Sequence, residues 1–253
     1  MNLQTIVERL DEELAIDAYA DLDGSPNGLQ VGVADHEVES AVLAVDAVSE
    51  TIDAAGDADL LITHHGLWWE GIERLTGRTY EHVRRLTDHG IALYVAHLPL
   101  DGHQRLGNAA RLAGRLGLED REPFGALEDQ WIGQMGVLPE ATSPAGLADE
   151  LAESLPTGDG TVRALPFGPD EVSSVGIVTG SGVDWLAEAE QAGVDAFVTG
   201  EGKHRVYHEA RERELTVILA GHYATETGGV RAVGERLAEW GVETRFVDVP
   251  TGL

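Results

Sequence analysis

The sequence predicts an α/β protein made of two similar, linked lobes with mostly parallel sheets. Three observations predict it. The chain has 253 residues, enough for one large α/β domain or two compact ones. Short, continuous apolar runs alternate with amphipathic stretches, the pattern of parallel strands covered on both faces by helices. The second half of the chain repeats the order of the first.

At the start, Leu3, Ile6, Val7, Leu10 and Leu14 have helical spacing, and the SPNG run at residues 25–28 is a turn. Residues 41–45, 60–63 and 91–96 read as buried strands, with helices at 49–55, 80–89 and 107–116. The middle, 124–173, is punctuated by Pro139, Pro144, Pro156, Pro166 and Pro169; it carries a strand at 131–138, a helix at 145–155 and a strand at 161–167. The first pattern then returns, with strands at 175–179, 196–199, 216–220 and 243–247 and helices at 184–192, 204–212 and 228–240. DLLITHHG at 59–66 is echoed by DAFVTGEG at 195–202, and the third strand of each half ends on a histidine followed four residues later by a carboxylate: His97 with Asp101, His222 with Glu226. The expected lobes are 1–123 and 124–253, facing each other so that their strand ends meet in a shared cleft.

Composition narrows the function. Forty-five acidic against seventeen basic residues give a formal charge of −28, and Lys203 is the sole lysine. A field so negative repels phosphate backbones and anionic lipid heads, which disfavours nucleic acid and membrane surfaces as partners. Surplus acid with almost no lysine suits a protein kept soluble in concentrated salt, where the Debye length falls to about 3 Å at 1 M, so a halophilic host is expected. Cysteine is absent, which excludes disulfides, thiolate metal sites and a cysteine nucleophile. The first twenty residues carry five acids and no apolar core of a signal peptide, and no run of eighteen apolar residues occurs, so the expectation is a soluble, cytoplasmic protein. No G-x-x-x-x-G-K-[ST], G-x-G-x-x-G, G-x-S-x-G or H-E-x-x-H is present, which removes Walker-type NTPases, dinucleotide enzymes, serine hydrolases of the nucleophile-elbow type and zincins.

Functional groups of open α/β sheets gather beyond the carboxyl ends of the strands. That is where His64, His65, His97, Asp101, His222 and Glu226 fall. Imidazole and carboxylate are the ligands of Zn, Mn, Fe, Co or Ni in a thiol-free site. A helix beginning on the turn after His222 would return Glu226 to the same cavity, where a carboxylate can bridge two cations about 3.5–4 Å apart. Glu201, Lys203 and His204 follow the strand equivalent to the one bearing His64 and His65; Lys203 is a candidate contact for an anionic substrate, and Trp68 and Trp69 for a stacked base, against the plainer readings of a solvated side chain and of core or subunit packing. His36, His82 and His89 read as ordinary core or surface residues.

NGLQVG at 27–32, ITHHG at 62–66, AHLPLD at 96–101 and GHYATE at 221–226 together resemble the Nif-three-like dinuclear metal-centre family, often catalogued as GTP cyclohydrolase I type 2 homologues. The resemblance covers essentially the whole chain and is to the short form, without an inserted mid-chain domain. It implies two divalent metal ions per chain: His65 and Asp101 on one, His64 and His222 on the other, Glu226 bridging. It also implies two linked α/β lobes and a toroidal homohexamer with the sites facing an internal cavity. His97 matches a motif histidine and is expected beside the ligands or as a proton carrier, a role Glu201 can share. The expected activity is metal-dependent hydrolysis of a nucleotide-like or phosphorylated small molecule, with ring opening of guanine supplied as a substrate by the resemblance alone. The rival expectations are a metal carrier or metal-responsive regulatory protein without turnover, and a scaffold that only assembles.

Overall fold

The apolar runs 41–45 and 60–63 lie side by side in a parallel sheet in the computed structural model, which describes residues 1–253. The chain divides into two compact units, Met1–Leu100 with Gly229–Val249, and Asp101–Gly228 with Pro250–Leu253.

The first unit opens with α1 (Leu3–Leu14), whose helical spacing buries the five apolar residues named above and whose Asn2 side chain caps Gln4 N at 3.0 Å. Then come β1 (Gly28–Val31), β2 (Ser40–Asp46), α2 (Ser49–Ala55), β3 (Leu60–His65), α3 (Gly77–His89), β4 (Ala92–Val95) and α4 (Leu98–Gly102). The five-stranded sheet has the order β1-β4-β3-β2-β11, β11 being Glu243–Phe246 near the end of the chain. Only β1 runs antiparallel, along β4. Val42, Ala44, Leu61, Leu93 and Val95 from the strands pack with Ile52 of α2 and Leu86 of α3. Each of these Val, Leu and Ile side chains contributes roughly 1.5–3 kcal/mol on burial, which is why these strands carry almost no polar residue before their ends.

The second unit contains α5 (Asn108–Arg115), β5 (Glu119–Leu127), β6 (Gln130–Thr142), α6 (Pro144–Ser154), β7 (Arg163–Pro166), β8 (Val172–Ile177), α7 (Leu186–Ala192), β9 (Ala196–Thr199), α8 (Val206–Glu212), β10 (Thr216–Leu219) and the start of α9 (His222–Glu239). Its six strands are ordered β5-β6-β8-β9-β10-β7. β8, β9 and β10 are parallel, while the β5-β6 hairpin and β7 flank them antiparallel. Leu112, Leu147, Leu151, Val175, Ile177, Val198 and Ile218 form the core.

The units do not follow a break at 123/124. β11 pairs with β2 and so returns to the first sheet, and β5 pairs with β6 and so belongs to the second. The reason is long-range hydrogen bonding, which periodicity within a window does not report. Asp101 accordingly opens the second unit rather than lying inside the first. No helix is long and apolar enough to cross a membrane.

Candidate metal centre

In the first unit, β3 ends on His64 and His65. Thr63 Oγ1 donates to His65 O at 2.9 Å and helps turn the strand end, leaving the two neighbouring rings with centroids 4.7 Å apart. His97, just beyond β4, lies 5.0 Å from His64 and 5.7 Å from His65, ring to ring. One ligand nitrogen from each of the three rings lies within 4.8 Å of the others.

Each ring is held through Nδ1. His64 Nδ1 meets Ala96 O at 2.9 Å, His65 Nδ1 meets Asp46 Oδ1 at 2.8 Å, and His97 Nδ1 meets Asp23 Oδ1 at 2.9 Å. A carbonyl or an ionised carboxylate can only accept, so in the neutral ring the proton sits on Nδ1 and the lone pair on Nε2. That is the tautomer and orientation of a metal-binding histidine supported from behind.

Asp23 is a hub. It accepts from Ser25 N and Asn27 Nδ2 at 2.8 Å and from Leu98 N at 3.0 Å, besides His97. Burial works to raise its pKa, but the hydrogen bonds from His97, Asn27 and Ser25 and the His97 charge outweigh it and hold the carboxyl below its ordinary range. Asn27 Oδ1 accepts His97 N at 2.7 Å, and Gln30 Oε1 accepts Leu67 N at 3.1 Å. A Cβ at Gly66 would fall 2.4 Å from Gln30 Nε2 and push aside the amide that bonds Leu67 N and Pro26 O. The NGLQVG segment thus braces the loops that follow both β3 and β4.

In the second unit, Asp101 is buried and its Oδ1 accepts from Asn108 Nδ2 at 2.8 Å and Thr179 Oγ1 at 3.2 Å. His222 begins α9, and Glu226, one turn later, is 3% exposed with Oε2 3.2 Å from His222 Nε2. Glu201, beyond β9, stands 3.2 Å from His222 Nδ1 and receives the Ser181 hydroxyl. That hydroxyl, with the His222 contacts, holds the Glu201 carboxyl below its usual range against burial and the charge of Glu226. For His222, burial opposes protonation, yet the hydrogen bonds and charges of Glu226 and Glu201 prevail and push the imidazole up to about 9. Gly180 closes the set: with φ +59, a Cβ there would fall 2.2 Å from Glu226 Oε1.

Both units therefore carry buried His, Asp or Glu side chains of the kind that hold a metal ion. Among the residues singled out from sequence, His64, His65 and His97 form one set, and Asp101, His222, Glu226 and Glu201 lie in the other unit. His82 instead packs on Ser49 Oγ at 3.1 Å, and Lys203 Nζ pairs with Asp184 at 3.0 Å. Trp69 is half-exposed with its ring edge-on to His97 at 4.8 Å. Sequence reasoning misses the supports Asp23, Asp46 and Gly180; Asp46, as the last residue of β2, obeys the same strand-exit rule and is findable by it.

The sequence family described as Duf34/NIF3 (NGG1p interacting factor 3) matches residues 1–252. A Halobacterium salinarum protein named GTP cyclohydrolase 1 type 2 homolog is 53% identical over 255 residues, covering 100% of both chains. Among solved structures, protein ybgI, described as of unknown function, superposes with a TM-score of 0.91 at 33% identity, and TTHA1606 from Thermus thermophilus with 0.90 at 38%. Both alignments cover 100% of each chain.

Proposed function

Because the chain belongs to the Duf34/NIF3 family, we propose that it is a metal-dependent hydrolase acting on a nucleotide-like or other phosphorylated small molecule through a dinuclear centre. In this reading the two donor sets serve one pair of cations: His65 and Asp101 hold one, His64 and His222 the other, and Glu226 bridges. The observation that carries it is the state of the imidazoles. His64, His65 and His97 each face an oxygen with Nδ1, which in the neutral ring leaves the lone pair on Nε2, while His222 lies between Glu201 at Nδ1 and Glu226 at Nε2. The donor chemistry is nitrogen and oxygen only, which suits Zn, Fe, Mn, Co or Ni.

When bound, such cations lower the pKa of water toward neutrality and polarise the bond to be cleaved. The chain's own residues supply the rest. Ala96 O, Asp46 and Glu201 fix the rings of His64, His65 and His222. His97, backed by Asp23, is placed to accept and return a proton at Nε2, and Glu201 is the second carboxylate able to move one. The name carried by the Halobacterium relative supports a purine nucleotide as the class of substrate to try first.

The test is elemental analysis of protein purified without added metal or chelator, followed by assay of GTP ring opening at high salt. Two equivalents per chain are expected, falling below one in His64→Ala and Glu226→Gln, with turnover lost in both. Full metal content in the variants would overturn the ligand assignment. Metal retained by the parent with no turnover, but passed to an acceptor protein, would replace the hydrolase with a metal carrier.

A further inference from the structure

The second unit holds a basic cavity on a chain of charge −28. Arg163 on β7, Lys203 and His204 after β9, and Tyr207 and His208 on α8 line a space of about 320 Å³. Arg163, Gly202 and Leu219 also line an adjoining space of about 210 Å³ that reaches Glu201 and Gly221. The two spaces share these lining residues, with Glu201, the support of His222, in the smaller and the imidazoles of His204 and His208 in the larger.

We propose that this cavity binds the phosphate groups of the substrate; the placement of the reacting end beside His222 rests on the hydrolase reading above. Every polar side chain that lines the larger space offers a donor: a guanidinium fork, an ammonium, a phenol and two imidazoles. Lys203 and Arg205 turn partly to Asp184, and Arg205 also to Glu209, but neither carboxylate lines the cavity. Arg163 has no carboxylate partner. His204 and His208 stand four residues apart with centroids 6.1 Å apart, and Tyr207 packs its ring on His208 at 5.5 Å and on Phe167 at 5.1 Å. Donors spread over such a span suit an anion with several oxygens along a chain, not a single carboxylate. The groups are exposed, so at about 1 M salt the screening length shrinks to about 3 Å and binding must come from direct charge-assisted hydrogen bonds. Arg163 and Lys203 thus bring two positive side chains to one cavity of a chain whose net charge is −28.

The probe is inorganic tripolyphosphate, titrated calorimetrically into the full chain and into Glu226→Gln, in which the metal centre is disabled. Binding is expected to survive in Glu226→Gln and to weaken at least tenfold when Arg163→Ser and His208→Ala are added, with the melting temperature unchanged because both side chains are on the surface. Equal affinity with and without those two changes overturns the proposal, as does complete loss of binding in Glu226→Gln alone, which would leave the anion to the cations. A chain found to hold no metal, yet whose tripolyphosphate binding still depends on Arg163 and His208, separates the two readings: the cavity stands and the dinuclear centre falls.

Discussion

The two units lay their strands in the same order, β1-β4-β3-β2 in one and β7-β10-β9-β8 in the other, each with an antiparallel edge strand beside the third parallel strand. Asp59, just before β3, accepts from Glu39 N, Ser40 N and Ser40 Oγ; Asp195, just before β9, accepts from Ser173 N, Ser174 N and Ser174 Oγ. Aligned on these aspartates, His64 and His65 correspond to Gly200 and Glu201. Aligned on the strand register, Asp46 corresponds to Gly180. One scaffold thus carries opposite assignments. In the first unit a carboxylate at the end of the first parallel strand supports an imidazole at the end of the second. In the second unit, a carboxylate at the end of the second supports an imidazole beyond the third. The register also separates His97 from His222: the residue level with His97 is Gly221, so the two histidine-carboxylate pairs share a spacing but not a position. The difference teaches that the backbone fixes where donors emerge, while single side chains decide whether a position ligates or supports.

The sharpest way to break the comparison is to neutralise the two supports in parallel. Asp46→Asn and Glu201→Gln should each weaken metal affinity roughly 10–100-fold, read by competition with a chelator. A loss in the first with none in the second would show that Glu201 does not do for His222 what Asp46 does for His65. Next, Gly180→Ala should cost about 1–3 kcal/mol in denaturant unfolding, because the new Cβ meets Glu226 at a backbone angle that favours glycine. An unchanged midpoint would mean that Glu226 moves aside freely. The smallest effect sharpens the repeat itself: Asp59→Asn and Asp195→Asn should each lose roughly 1 kcal/mol, since each deletes a charged acceptor of three donors. Losses that differ by more than about 1 kcal/mol would show that the two aspartates are not equivalent supports.

Much of this is legible without any coordinates. β9 and α2 occupy the residues their apolar pattern marks, and β2, β3 and β10 are displaced by two residues at most. β5 is not legible, because its first five residues, EDREP, are exposed edge positions with no apolar alternation to report them. The first six residues of α9 escape the pattern as well. His222, Thr225 and Thr227 are poor helix formers, and Gly228 and Gly229 interrupt the periodicity, yet the helix runs unbroken from His222 and sets Glu226 one turn along. Of the site, the histidines declare themselves by following strand ends, as do the supports Asp46 and Glu201; the support Asp23, in the loop before β1, does not.

The residues alone determined the chemistry available: imidazoles and carboxylates without thiols, on an acidic chain whose parallel strands deliver them to one edge of each sheet. Only the folded chain decided which oxygen each Nδ1 meets. Those partners lie 32 residues from His64, 19 from His65, 74 from His97 and, for His222, at Glu201 on a different strand exit. A histidine's tautomer follows from the acceptor it touches, and contacts at such separations exist only once the strands are paired.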